Sequence, residues 1–168
     1  LLGMAATLRR QHIVPGCDIW FVAPSREEGL GDLGGMKQAY QKLADRVGYV
    51  INLEGLAFGH VYHAGIAVRR LHITASAEGG HSWLRFGRAS AVHGIMQLGE
   101  QIIALEMPKA HRTTFNIGMI EGGQGINVIA SSAGLWLDMR SEHRDTLATL
   151  ETSVRRLVDS LQSDDLPF

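Results

Sequence analysis

Apolar and polar positions change their rhythm twice along these 168 residues. Leu1 to Gln11 reads as the tail of a helix, stopped by Pro15 and Gly16. The run DIWFVAP (18–24) is short, apolar and bounded by turn residues, as a strand buried on both faces would be. A helix over Met36 to Val47 follows, with Met36, Ala39, Tyr40, Leu43 and Val47 on one side. YVINLEG (49–55) then reads as a second short buried strand. Alternating helices and buried strands predict an α/β domain with a parallel sheet.

Past about residue 60 the period shortens to two. IAVRRLHITASAE alternates as a half-exposed antiparallel strand does. Arg88 to Met107 returns to helical spacing through Val92, Ile95, Leu98, Ile102 and Leu105. RTTFNIGMIEGG and INVIASSAGLWLDMRS predict a hairpin turning through the glycines around Gln124. His143 to Leu161 predicts a last amphipathic helix. The order β-α-β-β-α is that of an α+β ferredoxin-like unit whose final strand is absent. The expected division is residues 1–60 as the tail of a parallel-sheet domain and 61–168 as the smaller one. SLQSDDLPF stops as a new extended segment begins, and the first residues lack a helix cap, so the sequence reads as a piece of a longer protein.

Composition narrows the function. A net charge of −1 offers no electrostatic case for nucleic acid or a membrane surface. No apolar run approaches the roughly 18 residues of a membrane span. A single cysteine, Cys17, excludes an internal disulfide and a cysteine-rich zinc cluster, and favours a reducing, cytoplasmic setting.

The chemistry concentrates in PSREEGLGDLGG (24–35), where Glu27 and Glu28 precede a run of glycines. Glu54 closes the next run. In doubly wound sheets such positions lie beyond the carboxyl ends of strands, where sites form. Three carboxylates at one edge would raise one another's pKa, and a divalent cation is the natural compensator. A solvated loop is the plain alternative for the Glu pair. Glu54 could equally cap a helix or pair with Arg46.

EEGLGDLGG, INLEG, EGGHSW and GMIEGGQGINVIASSAGLWLDMRSEH, in this order, resemble the M20 family of metallopeptidases. The resemblance runs over most of the chain. It implies a zinc-dependent exopeptidase or amidohydrolase with two zinc ions per complete site, cobalt or manganese being possible. It makes Glu27 the general base acting on water, and Glu28 and Glu54 metal ligands. His81 in GGHSW would reach the partner subunit's site and polarise the scissile carbonyl. Asn127 and Arg140 would hold a peptide or N-acyl amino acid, Arg140 taking its carboxylate. Residues 61–168 become a lid that forms a homodimer.

The residues alone leave other readings open. His81 could be a surface histidine, Asn127 a turn residue, and Arg140 the partner of Asp138 or Glu142. Asn127 and Arg140 also have opposite parity in an unbroken strand, so both reach one ligand only if Asn127 precedes the ladder or a bulge intervenes. The ligand set is incomplete: the family's upstream His-x-Asp segment, bridging aspartate and downstream histidine are not seen. HRD at 143–145 opens a helix, and His60, His63, His72, His93 and His111 are read as non-ligands. The piece alone is expected to be inactive, and an isolated dimerisation module without activity is the alternative.

Overall fold

The computed structural model describes residues 1–55 and 58–163. The chain forms two compact units, Leu1–Gly59 and His60–Phe168.

In the first unit, helix α1 spans Leu2–Arg10 and α2 spans Gly34–Leu43, with 3-10 turns at Gly29–Gly31 and Ala44–Arg46. Both helices lie where the periodicity puts them. The two expected parallel strands do not form: residues 18–24 and 49–55 join no sheet. Trp20, Tyr49 and Ile51 are exposed, Tyr49 at 95%. The physical reason is that a strand exists only through lateral hydrogen bonds, and these two runs do not pair with each other. Arg46 binds Asp18 at 3.2 Å and its guanidinium lies 5.2 Å from the centre of the Trp20 ring. It does not take the Glu54 partner considered above.

The second unit has the order β1 (Ala67–Ser76), β2 (Gly80–His81), α3 (Ala91–Ile103), β3 (Thr113–Gly122), β4 (Val128–Ile129), β5 (Ser132–Ser141) and α4 (Arg144–Ser163). Its main sheet is antiparallel and three-stranded, in the order β1-β5-β3. Setting aside the two-residue strands, this is the β-α-β-β-α arrangement read from the sequence. The extended segment expected after α4 lies outside the described residues.

Period-two alternation sends Leu135, Leu137 and Met139 of β5 to one face, where α3 and α4 pack. Ile95, Leu98 and Ile102 of α3 and Leu147, Leu150 and Val154 of α4 complete the core. Removing each large aliphatic side chain from water contributes about 1.5–3 kcal/mol. Small residues let α3 approach closely. Ala91 and Gly94 are buried, and a Cβ on Gly99 would stand 3.8 Å from Ile117. On the opposite face, Arg70, His72, Trp136, Asp138 and Arg140 stand in cross-strand rows.

α3 is shorter than its periodicity suggests, because Arg85 and Arg88 are held in a turn: the Arg88 amide donates to Arg85 O at 3.2 Å. The hairpin is also interrupted. β3 carries a bulge at Gly118, between Ile117 and Met119, and the chain after Gly122 leaves the main sheet to form β4. β4 pairs with β2 in a small second ladder, Gly80 opposite Ile129 and His81 opposite Val128.

Candidate functional site

The three glutamates belong to the first unit. Glu27 and Glu28 precede the Gly29–Gly31 turn, whose Gly31 amide donates to Glu28 O at 2.9 Å. The glycines are needed here: Gly29 has φ +53°, and a Cβ on Gly31 would fall 2.6 Å from Arg26 O. The negative charge of Glu28, then partial loss of water, then the charge of Glu54 hold the Glu27 carboxyl above its ordinary range. The structure thus brings Glu28 and Glu54 within electrostatic reach of Glu27. Glu54 accepts a hydrogen bond from the Gly55 amide at 3.1 Å. Among the described residues, no group of three or more His, Cys, Asp or Glu side chains gathers closely enough to hold a metal ion.

His81 and Asn127 belong to the second unit, and the short β2–β4 ladder brings their backbones together. Ser82 N–H donates to Asn127 O at 2.9 Å. Gly79 (φ +74°) and Gly80 (φ +135°) set up the turn into His81. A Cβ on Gly79 would meet Ser131 Cβ at 3.0 Å, and one on Gly80 would meet Arg85 Cγ at 3.0 Å. Trp83 N–H donates to His81 Nδ1 at 3.3 Å. Asn127 occupies the third position of a turn closed by Val128 N–H on Gly125 O at 3.1 Å. It lies ahead of β5 and outside the main ladder, which removes the parity conflict with Arg140.

Arg140 stands on β5, half exposed, with Nε donating to Asp138 at 2.6 Å. Asp138 also accepts from Arg70 Nε across the strand pair at 2.9 Å. Burial works to raise the Asp138 pKa, but hydrogen bonds from Arg140 and then Arg70 overcome it and hold the carboxyl below its ordinary range. Arg140 is therefore oriented by a neighbour two residues back on the same face. Sequence spacing foresaw this pair. Arg70 was not foreseen, because the Arg70–Asp138 register is a long-range fact.

Three of the other histidines make ring contacts within the second unit's sheet and its connections. His72 stacks on Trp136 with centroids 4.0 Å apart, and His143 stacks on His111 at 4.7 Å. Both pairs depend on contacts distant in sequence. Among the described residues, no helix is long and apolar enough to cross a membrane.

Comparison with known proteins gives the fold a lineage. No curated protein matches the chain. Solved structures do. An amidase of the hydantoinase/carbamoylase family from Burkholderia vietnamiensis is 20% identical with a TM-score of 0.54, over 61% of this chain and 25% of its own. An aminobenzoyl-glutamate utilization protein from Klebsiella pneumoniae is 20% identical with a TM-score of 0.53, over 57% of this chain and 25% of its own. A second hydantoinase/carbamoylase-family amidase, from Burkholderia multivorans, is 19% identical with a TM-score of 0.54, over 60% and 25%. The chain spans a quarter of the length of each of these structures. Residues 62–165, well over half of the sequence, match the M20 peptidase dimerisation domain. The chain belongs to the M20 peptidase family and carries its dimerisation domain.

Proposed function

We propose that this chain is the lid and dimerisation part of an M20-type amidohydrolase or exopeptidase, joined to a strip of its catalytic domain in residues 1–60. The observation that carries the reading is the β2–β4 ladder. On a dimerisation-domain fold, it ties the exposed His81 to Asn127 ahead of the Ser132 end of β5, while Arg140, oriented by Asp138, stands near the opposite end of that strand.

In this reading the substrate is a short peptide or N-acyl amino acid. Arg140 receives its carboxylate through forked donors, and Asn127 supplies amide donors and an acceptor from its own end of β5. His81 donates a hydrogen bond to the carbonyl oxygen in the partner subunit's site as negative charge develops there. Glu27 takes the proton of the attacking water, and its raised pKa brings it closer to the range a general base needs. Glu28 and Glu54 are the residues that would hold a cation. Crowded anionic oxygens suit a divalent ion in kind, although this chain supplies only part of a ligand set. Bound zinc would supply Lewis-acid polarisation of the amide carbonyl. The names of the neighbouring structures, an amidase and an aminobenzoyl-glutamate utilization protein, agree with an amide substrate bearing a carboxylate.

A homodimer would use the unpaired edge of β3 and the adjoining side of α3. Met96, Ile103 and Ile120 are exposed at 60–68%, and Met96 and Ile120 line a cavity of about 250 Å³. Native mass spectrometry tests the assembly: a dimer that Ile103→Glu with Ile120→Glu converts to monomer supports it, and a wild-type monomer at micromolar concentration removes it. Zinc retained by the protein but lost in Glu28→Gln would support the ligand role.

A second reading is a dimerisation module with no activity of its own. It is favoured by the absence of any buried residue among the described residues of the first unit. Dimerisation together with failure to retain zinc would select it.

A further inference from the structure

The turn that presents His81 also decides which of its nitrogens carries the proton. Main-chain bonds hold the ring's backbone on every side. The His81 carbonyl accepts Arg85 N–H at 2.9 Å, Ser82 N–H is held by Asn127 O at 2.9 Å, and Gly80–His81 is paired to Val128–Ile129. The Trp83 amide then points back into the ring and donates to Nδ1 at 3.3 Å. A nitrogen that accepts a hydrogen bond must keep its lone pair, and a neutral imidazole has only one N–H. We infer that the Trp83 backbone N–H is a positioning group that holds neutral His81 in the tautomer protonated at Nε2. The outward nitrogen is therefore a donor.

This separates two chemistries that a glycine-flanked histidine could serve. A metal ligand at Nε2 needs the lone pair there and the proton on Nδ1, which would set two N–H groups against each other at Trp83. A donor to a carbonyl oxygen or oxyanion needs the arrangement present. His81 is thus built to face an oxygen acceptor rather than a cation. The Trp83 side chain takes no part, since the residue is 85% exposed. A single hydrogen bond of this kind biases the tautomers by roughly two- to tenfold. The inference rests on the proposed donor role of His81, but its readout needs neither substrate nor metal.

The test is long-range proton–nitrogen correlation on the full chain labelled with ¹⁵N at histidine and tryptophan, at alkaline pH where the rings are neutral. His81 is identified by the signals that vanish in His81→Gln. Nδ1 at the unprotonated position, Nε2 at the protonated one, and a scalar coupling between Trp83 N and His81 Nδ1 are expected. Trp83→Ala keeps the amide and should leave this pattern intact. Trp83→Pro removes it and should shift His81 toward the mixture of a free ring. A protonated Nδ1 in the wild type, or an unchanged pattern in a folded Trp83→Pro, overturns the inference. Should Trp83→Pro not fold, the coupling decides, and its absence in the wild type overturns the inference as well. The catalytic reading is tested apart from this, by the loss of turnover in His81→Gln of the enzyme carrying this lid.

Discussion

Residues 1–59 and 60–168 are rich in the same kinds of side chain, yet the second has a core and the first, among its described residues, has none. In the second unit Ile102, Leu135, Leu137 and Met139 are at most 1% exposed. In the first, Ile51 is 82% exposed and no described residue is buried. The difference lies in the partners each apolar run finds. β1, β3 and β5 pair with one another and are covered by α3 and α4, so alternate positions have somewhere to go. The runs at 18–24 and 49–55 are patterned for burial on both faces but form no ladder. Local pattern states what a segment can bury, and pairing decides whether it does.

The strongest test of this contrast is a pair of truncations. Leu137→Ala should cost about 2–5 kcal/mol of unfolding free energy by denaturant titration, because it leaves a cavity at the centre of the sheet. Ile51→Ala should cost less than about 0.5 kcal/mol. Equal losses would mean that the first unit has a core in solution.

A smaller effect separates the units by charge. Arg140 and Arg70 hold Asp138 below its ordinary pKa, so its ionised form contributes stability above the ordinary carboxylate range. That contribution is lost as pH falls through the depressed value. Asp138→Asn should therefore destabilise the second unit at neutral pH by about 1 kcal/mol or less, with the gap to wild type closing in acid. A gap that stays constant with pH would show that the ion pairs are not its source. Glu151, held low chiefly by its hydrogen bond from Arg155, contributes with the same sign.

The smallest effect concerns the first unit. Glu27 is shifted the other way, so its contribution to stability declines as pH rises through its raised value. A carbon-13 titration should give Glu27 a midpoint above that of an ordinary glutamate. Glu28→Gln should lower it more than Glu54→Gln does, since Glu28 is the larger source. The reverse order would place Glu54 nearer than the structure has it.

Much of the second unit was legible because its signals are local. The stripe Ile95, Leu98, Ile102 could only be a helix face, and the alternation in IAVRRLHITASAE could only be a strand with one dry side. The candidate site was partly legible for a different reason. The Gly79-Gly80 pair announces a special turn, and its positive φ values are what carry the chain into His81.

What stayed hidden depends on partners far apart in sequence. The diversion of Val128–Ile129 to pair with Gly80–His81 gave no warning, since both are ordinary dipeptides until a register is chosen. The Arg70–Asp138 bond and the His72–Trp136 stack follow from that same choice of register on β1 and β5. The sequence by itself determined which segments would be helical, which faces of the second unit would be dry, and where the acidic and histidine-bearing turns would fall. Those properties come from side-chain periodicity and glycine's backbone freedom within a few residues. Only tertiary structure decided which apolar runs became strands and how Asn127 escaped the ladder. Each of these is fixed by a hydrogen bond or a packing contact whose other half the local pattern does not name.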